Sequence, residues 1–128
     1  MAFKLGSEKR GIRSSENVSF ANKTVRENDN MGPGVIAQAN NDGSIDVDPN
    51  VDLNSSFGKK VMKHELKHKE QMEEGRADYG DNWVMWEGKI YIRKDENGEP
   101  IIDGPNGKWP EGHPKHPWEA EAIQAETE

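Results

Sequence analysis

Within this 128-residue chain, His64-Glu65-Leu66-Lys67-His68 reads H-E-x-x-H, the residue set and spacing best suited to chemistry. On a helix, positions i and i+4 share one face a turn apart, so both imidazoles can grip a single ion. Glu65 then stands beside that ion, where its carboxylate can take a proton from water the metal activates. The chain has no Cys, which excludes disulfides, thiolate metal sites and cysteine nucleophiles, so any metal must be held by His and carboxylate. Zinc suits nitrogen and carboxylate ligands in a tetrahedral site with one open position.

These residues need a helix, and the surrounding sequence supplies its ends. Asn54-Ser55-Ser56 offers N-cap residues and Gly75 a C-terminal stop, which predicts a helix of roughly 18–20 residues. At helical spacing Phe57, Val61, His64, Glu65, His68 and Met72 fall in one sector. Lys59, Lys60, Lys63, Lys67, Glu70 and Glu74 take the opposite side, and Met62 and Leu66 suggest a second, smaller contact. The two imidazoles and Glu65 therefore share the apolar stripe and point inward.

Upstream, Gly34 to Ala39, the turn Asn40-Asn41-Asp42-Gly43 and Ser44 to Asp48 predict a hairpin ended by Pro49. Ile45 and Val47 would share one face, with Ser44, Asp46 and Asp48 on the other. Asp46, Asp48 and Asp52 alternate as calcium ligands can, but without the Gly and terminal Glu of an EF-hand they read as an acidic strand face. Downstream, Trp83 to Trp86, Lys89 to Arg93 and Pro100 to Ile102, with turns at Glu87-Gly88 and Asn97-Gly98, predict an antiparallel meander. A loop through Asp103 to Gly107 and Pro110 to Pro114 leads to a second helix over Pro117 to Ala125. The expected class is α+β: an N-terminal hairpin, the H-E-x-x-H helix, a small meander and a C-terminal helix. Trp83, Trp86, Trp109 and Trp118 are expected to supply core area that a 31% hydrophobic chain otherwise lacks.

The order strand, H-E-x-x-H helix, later carboxylate-bearing helix resembles the zincin metallopeptidases, in which an edge strand runs beside the substrate and a later helix gives the third ligand. H-x-x-G-x-x-H does not follow His68, so the metzincin pattern is absent. Glu119-Ala120-Glu121-Ala122 is similar to the E-x-E-A segment of small gluzincin-like families, whose first Glu binds the metal. The resemblance covers about Ile45 to Ala125, and its most specific part is the pentapeptide. It implies a zinc metalloendopeptidase in which His64, His68 and Glu119 hold Zn2+, Glu65 is the general base, and the strand Ser44 to Asp48 pairs with the substrate backbone. Two departures stand out: Ile123 occupies the place where many gluzincins have an Asp or Asn partner, and Lys67 stands where small residues are common. Glu121, His113 and His116 remain rival third ligands. Glu119 and Glu121, two apart on a helix, face different ways, so only one can reach the ion. His113 or His116, and Tyr79 or Tyr91, could instead polarise a developing oxyanion, against a plain loop or packing role for each.

Charge divides the chain. Residues 1–26 hold six Lys or Arg against two Glu, and the remainder holds eleven against twenty-two. Residues 1–31 read as a basic extended arm and residues 32–128 as the metal-binding domain. An acidic body repels phosphate, so nucleic acid is disfavoured as a partner, while the arm could dock on a protein. The longest apolar stretches fall far short of a membrane span and no signal peptide opens the chain, which predicts a cytoplasmic or virion-associated protein. The opening Phe3-Lys4-Leu5-Gly6-Ser7-Glu8-Lys9-Arg10 and the layout are also similar to short proteins of tailed phages. A non-catalytic assembly component that keeps the scaffold and docks through its arm is therefore the alternative to a peptidase acting on a peptide or protein substrate.

Overall fold

The computed structural model describes residues 2–5, 17–20, 23–32, 34–105 and 107–128. Five strands precede the long helix: β1 (Ala2–Leu5), β2 (Asn17–Phe20), β3 (Lys23–Glu27), β4 (Val35–Ala39) and β5 (Ser44–Val47). Helix α1 (Ser56–Glu73) is followed by β6 (Ala77–Tyr79), β7 (Trp83–Trp86), β8 (Lys89–Glu96), β9 (Glu99–Gly104), β10 (Gly107–Pro110) and helix α2 (Pro117–Ala125). The fold is α+β, as its sequence predicts, with the hairpin, the helix, the meander and the C-terminal helix in the expected order.

The first sheet has the order β1-β4-β5-β3-β2. Strands β4 and β5 form the expected hairpin, but β3 lies parallel to β5 on its other side, Val25 opposite Ile45 and Arg26 opposite Asp46. Strand β5 is thus interior, with both edges paired, and the expectation that Ser44 to Asp48 accepts a substrate strand is overturned. The face expected to be acidic is closed at Ser44 and Asp46, while Asp48 is half-buried and Asp52 exposed. Asp46 is fully buried and accepts from Arg26 Nε at 3.1 Å, Gln38 Nε2 at 3.1 Å and Asn40 Nδ2 at 3.2 Å. A carboxylate surrounded by donors can be buried where a lone one cannot. Of the stretch read as an arm, residues 23–31 include β3, and Val25 and Arg26 are buried in and behind this sheet. Residues 6–16, the middle of that stretch, lie outside the described residues.

Ser55 caps α1 by accepting from the Gly58 N–H at 2.9 Å, and Gly75, at φ +77°, ends it. The helix serves two cores. Val61 and Met62 pack with Val25, Ala37, Ile45 and Val47 of the first sheet. Met72, one turn past His68, packs against Ala77, Tyr79, Val84, Trp86, Tyr91, Ile102 and Trp118. Phe57 is not part of either: it is exposed, and the buried residue of that turn is Gly58. A Cβ on Gly58 would lie 2.0 Å from the Asp52 carbonyl oxygen, a backbone atom with nowhere to go. Gly58→Ala is expected to cost about 1–3 kcal/mol, read as a lower urea midpoint at unchanged slope.

The meander is a five-stranded sheet, β10-β9-β8-β7-β6, and the segment expected to be a loop beyond Asp103 belongs to the β9–β10 hairpin. Of the four tryptophans, Trp86 and Trp118 are core, Trp109 is half-buried and Trp83 stands on the exposed face opposite Ile92. Trp118 enters from α2, meeting Tyr91 edge-on with ring centres 4.8 Å apart. That contact fastens α2 between the meander and α1.

Candidate metal centre

Helix α2 begins with His116 as its N-cap residue and Pro117 in its first turn, so Trp118 and Glu119 leave the first turn toward the interior. Trp118 fills the meander core, and Glu119, the next residue round, faces α1. There His64 Nε2 lies 2.9 Å and His68 Nε2 lies 3.1 Å from the same oxygen, Glu119 Oε1. The three side chains form a group able to hold a metal ion, their ligand atoms all within 4.8 Å of one another. His64, Glu65, His68 and Glu119 are each 0% exposed.

The far side of each imidazole is also held. His64 Nδ1 is 2.7 Å from Glu126 Oε2, and His68 Nδ1 is 2.9 Å from Gln71 Oε1. An ionised carboxylate and an amide oxygen can only accept, so both Nδ1 atoms donate. In the neutral rings Nε2 then carries the lone pair, and two lone pairs converge on one buried carboxylate oxygen. Such a set requires a cation, either added protons or a metal. Histidines that donate Nδ1–H to an acceptor and turn Nε2 inward are the usual arrangement around zinc. Bonds of ~2.0–2.1 Å in a tetrahedron put neighbouring ligand atoms about 3.3 Å apart, so an ion needs each imidazole nitrogen to draw back from Glu119 Oε1 by only a few tenths of an ångström. Glu119 Oε2 is buried without a hydrogen-bond partner, which leaves a further coordination point. The donor set fits a zinc-sized ion.

Protonation states follow the same logic. Burial alone would lower the His68 pKa, but the charge and hydrogen bond of Glu119 outweigh it and raise it to about 9. His64 is raised for the same reason, against the same opposition from burial. Burial pushes Glu119 up, yet the two imidazoles bring it down to about 2. Glu65 is different. Burial drives it up to about 7, with His68 and His64 opposing, and neither of its oxygens has a hydrogen-bond partner among the described residues.

The rival residues are elsewhere. Glu121 pairs with Arg76 and accepts from Gln71. His116 is buried, stacked on Trp118 with ring centres 4.7 Å apart, and its Nε2 faces the Trp109 and Pro110 carbonyls; burial lowers its pKa. His113 stacks on Trp109. The Tyr79 hydroxyl accepts from the Asn41 N–H, and Tyr91 belongs to the core. Sequence reasoning missed Gln71 and Glu126. Both were accessible to it, since Gln71 lies three residues after His68 and Glu126 seven after Glu119, each on the face of its helix that carries the ligand. Ile123, which has no polar group, lies in α2 and is exposed, and the carboxylate that meets His64 is that of Glu126.

No protein family matches the chain, and no curated protein or solved structure shows significant similarity to it.

Proposed function

We propose that this protein is a minimal zinc-dependent metallopeptidase of the gluzincin type, with His64, His68 and Glu119 as ligands and Glu65 as general base. The observation that carries the reading is Glu65, whose two carboxylate oxygens are buried, without partners, beside the three ligand side chains. A buried carboxyl with no hydrogen bonds weakens the fold, and a catalytic task accounts for its presence there. Three protein ligands also match catalytic rather than structural zinc sites, which close with four. Zinc held there would supply Lewis acidity, polarising a peptide carbonyl and making water acidic enough to lose a proton near neutral pH.

The chain's own residues do the rest. Glu65 takes the proton on a carboxylate oxygen and delivers it to the leaving amine nitrogen, and burial, which favours its neutral form, helps it hold that proton between the two transfers. Glu126 and Gln71 hold His64 and His68 in the tautomer that faces the site. The test is hydrolysis of a mixed peptide substrate by purified protein, with metal content measured in parallel. Activity that needs one equivalent of zinc supports the reading, and a zinc-loaded protein without hydrolysis removes it.

One observation favours a second reading. All four polar groups are 0% exposed, as suits an ion that serves as a staple. In that case the protein is a non-catalytic assembly component, for example of a phage particle, that uses the ion to hold its fold. Zinc would then raise the melting temperature and leave peptides intact.

A further inference from the structure

Helix α1 stops at Gly75 with the Gly75 N–H donating to the Met72 carbonyl and the Arg76 N–H to the Gln71 carbonyl. This stop places the Arg76 guanidinium beside the last turn. Its Nη1 donates to Glu121 Oε1 at 3.0 Å, its Nη2 to Glu121 Oε2, and its Nε and Nη2 to Glu87 Oε2 at 3.1 and 2.9 Å. The guanidinium also lies over the Trp86 ring, 4.7 Å from its centre. Glu121, fixed in this way, accepts from Gln71 Nε2 at 3.1 Å, and so does the Trp118 carbonyl at 3.1 Å.

Two acceptors on one terminal atom of Gln71 force that atom to be the amide nitrogen. The other is then the oxygen, and it faces His68 Nδ1. If the amide turned over, its NH2 would meet Nδ1, which would have to accept. The proton of neutral His68 would then move to Nε2, the atom that faces Glu119, and His68 could no longer ligate through it.

We propose that Arg76 and Glu121 are positioning residues for the metal centre, acting as a lock on the Gln71 amide and, through it, on the tautomer of His68. This rests on the reading of His64, His68 and Glu119 as zinc ligands. Arg76 is about one third exposed and touches none of the three ligands, so the lock on Gln71 is an indirect effect that must be separated from the grip of Arg76 on α2.

A double-mutant cycle isolates that path. Zinc affinity of the full chain is measured by competition with a chromophoric chelator for wild type, Arg76→Met, Gln71→Leu and the double variant, with cobalt(II) spectra recorded for each. Gln71→Leu is expected to weaken zinc roughly 10- to 100-fold, and Arg76→Met about tenfold, the range for outer partners of a ligating histidine. In the Gln71→Leu background, Arg76→Met should change affinity by less than about twofold, because no amide is left to orient. Arg76→Lys should recover part of the loss. Glu121→Gln, which keeps the side chain's shape, should reproduce the weakening if Arg76→Met fails to fold. Equal loss from Arg76→Met in both backgrounds, or unchanged zinc affinity and cobalt spectrum in Arg76→Met or Glu121→Gln, overturns the lock while leaving the ligands in place. A wild-type protein that binds neither metal overturns both.

Discussion

Glu65→Gln is expected to retain one zinc per chain while lowering peptide hydrolysis by ~10²–10⁴-fold, the usual contribution of a positioned general base. The substitution keeps the shape of the side chain and removes only its ability to take a proton. It breaks no hydrogen bond, because both Glu65 oxygens are without partners. The ligand atoms belong to His64, His68 and Glu119, which are untouched. Folding should not suffer, and above neutral pH the variant should melt higher than wild type, since it no longer buries a carboxylate there. Steady-state hydrolysis, metal content and calorimetry on the same preparation decide the matter. Wild-type turnover in Glu65→Gln would remove Glu65 from the mechanism.

The second large effect is that of taking the metal away. Chelation should abolish hydrolysis and expose a stability that depends on pH. His68 is raised from 6.5 to about 9, so its protonated pairing with Glu119 stabilises fully below about 6.5 and is lost as pH climbs through 9. Glu119, lowered from 4.5 to about 2, contributes above about 4.5 and loses that contribution only as pH falls through 2. Glu65, raised from 4.5 to about 7, is favoured as the neutral acid in the fold, so stability declines as pH rises from 4.5 to 7. The metal-free protein should therefore be firmest near pH 4.5–5 and weaken toward pH 9. Zinc reverses the trend because it replaces the protons, and its ligands bind only when deprotonated. With zinc at a thousandfold excess over its Kd, about 4 kcal/mol is added, roughly 10–20 °C in Tm for a domain of this size at pH 8, and little at pH 5. Calorimetry with zinc and with chelator at both pH values measures this. A zinc-induced shift of the same size at pH 5 and pH 8 would contradict it.

The parts of this molecule that could be read from its sequence are those set by neighbours along the chain. The cap at Ser55, the stop at Gly75 and the periodicity between them define α1, and the turn at Asn40 to Gly43 defines the β4–β5 hairpin. The E-x-E-A resemblance points to Glu119, and opposed helix faces explain why Glu121 turns to Arg76 instead. What stayed hidden depends on contacts that the order of residues along the chain does not announce, most of them between residues distant in sequence. Strand β3 pairs in parallel with β5, and its Arg26 looks like a solvated residue until Asp46 is found beside it. Asp46 misleads for the same reason, as its burial is permitted by Arg26, Gln38 and Asn40, none of which adjoins it in the chain. Gln71 and Glu126 sat at the right helical phase, but polar residues at that phase are read as surface unless the groups they serve are already known. His116 is buried through ring stacking on Trp118, which no loop composition announces.

The complete enclosure of His64, Glu65, His68 and Glu119 has a kinetic corollary. With all four side chains 0% exposed, an ion, and equally a peptide substrate, reaches these atoms only when the packing between α1 and α2 parts. At high zinc concentration the loading rate should level off at the frequency of that parting, and once loaded the ion should leave slowly, retained by the gate as well as by its bonds.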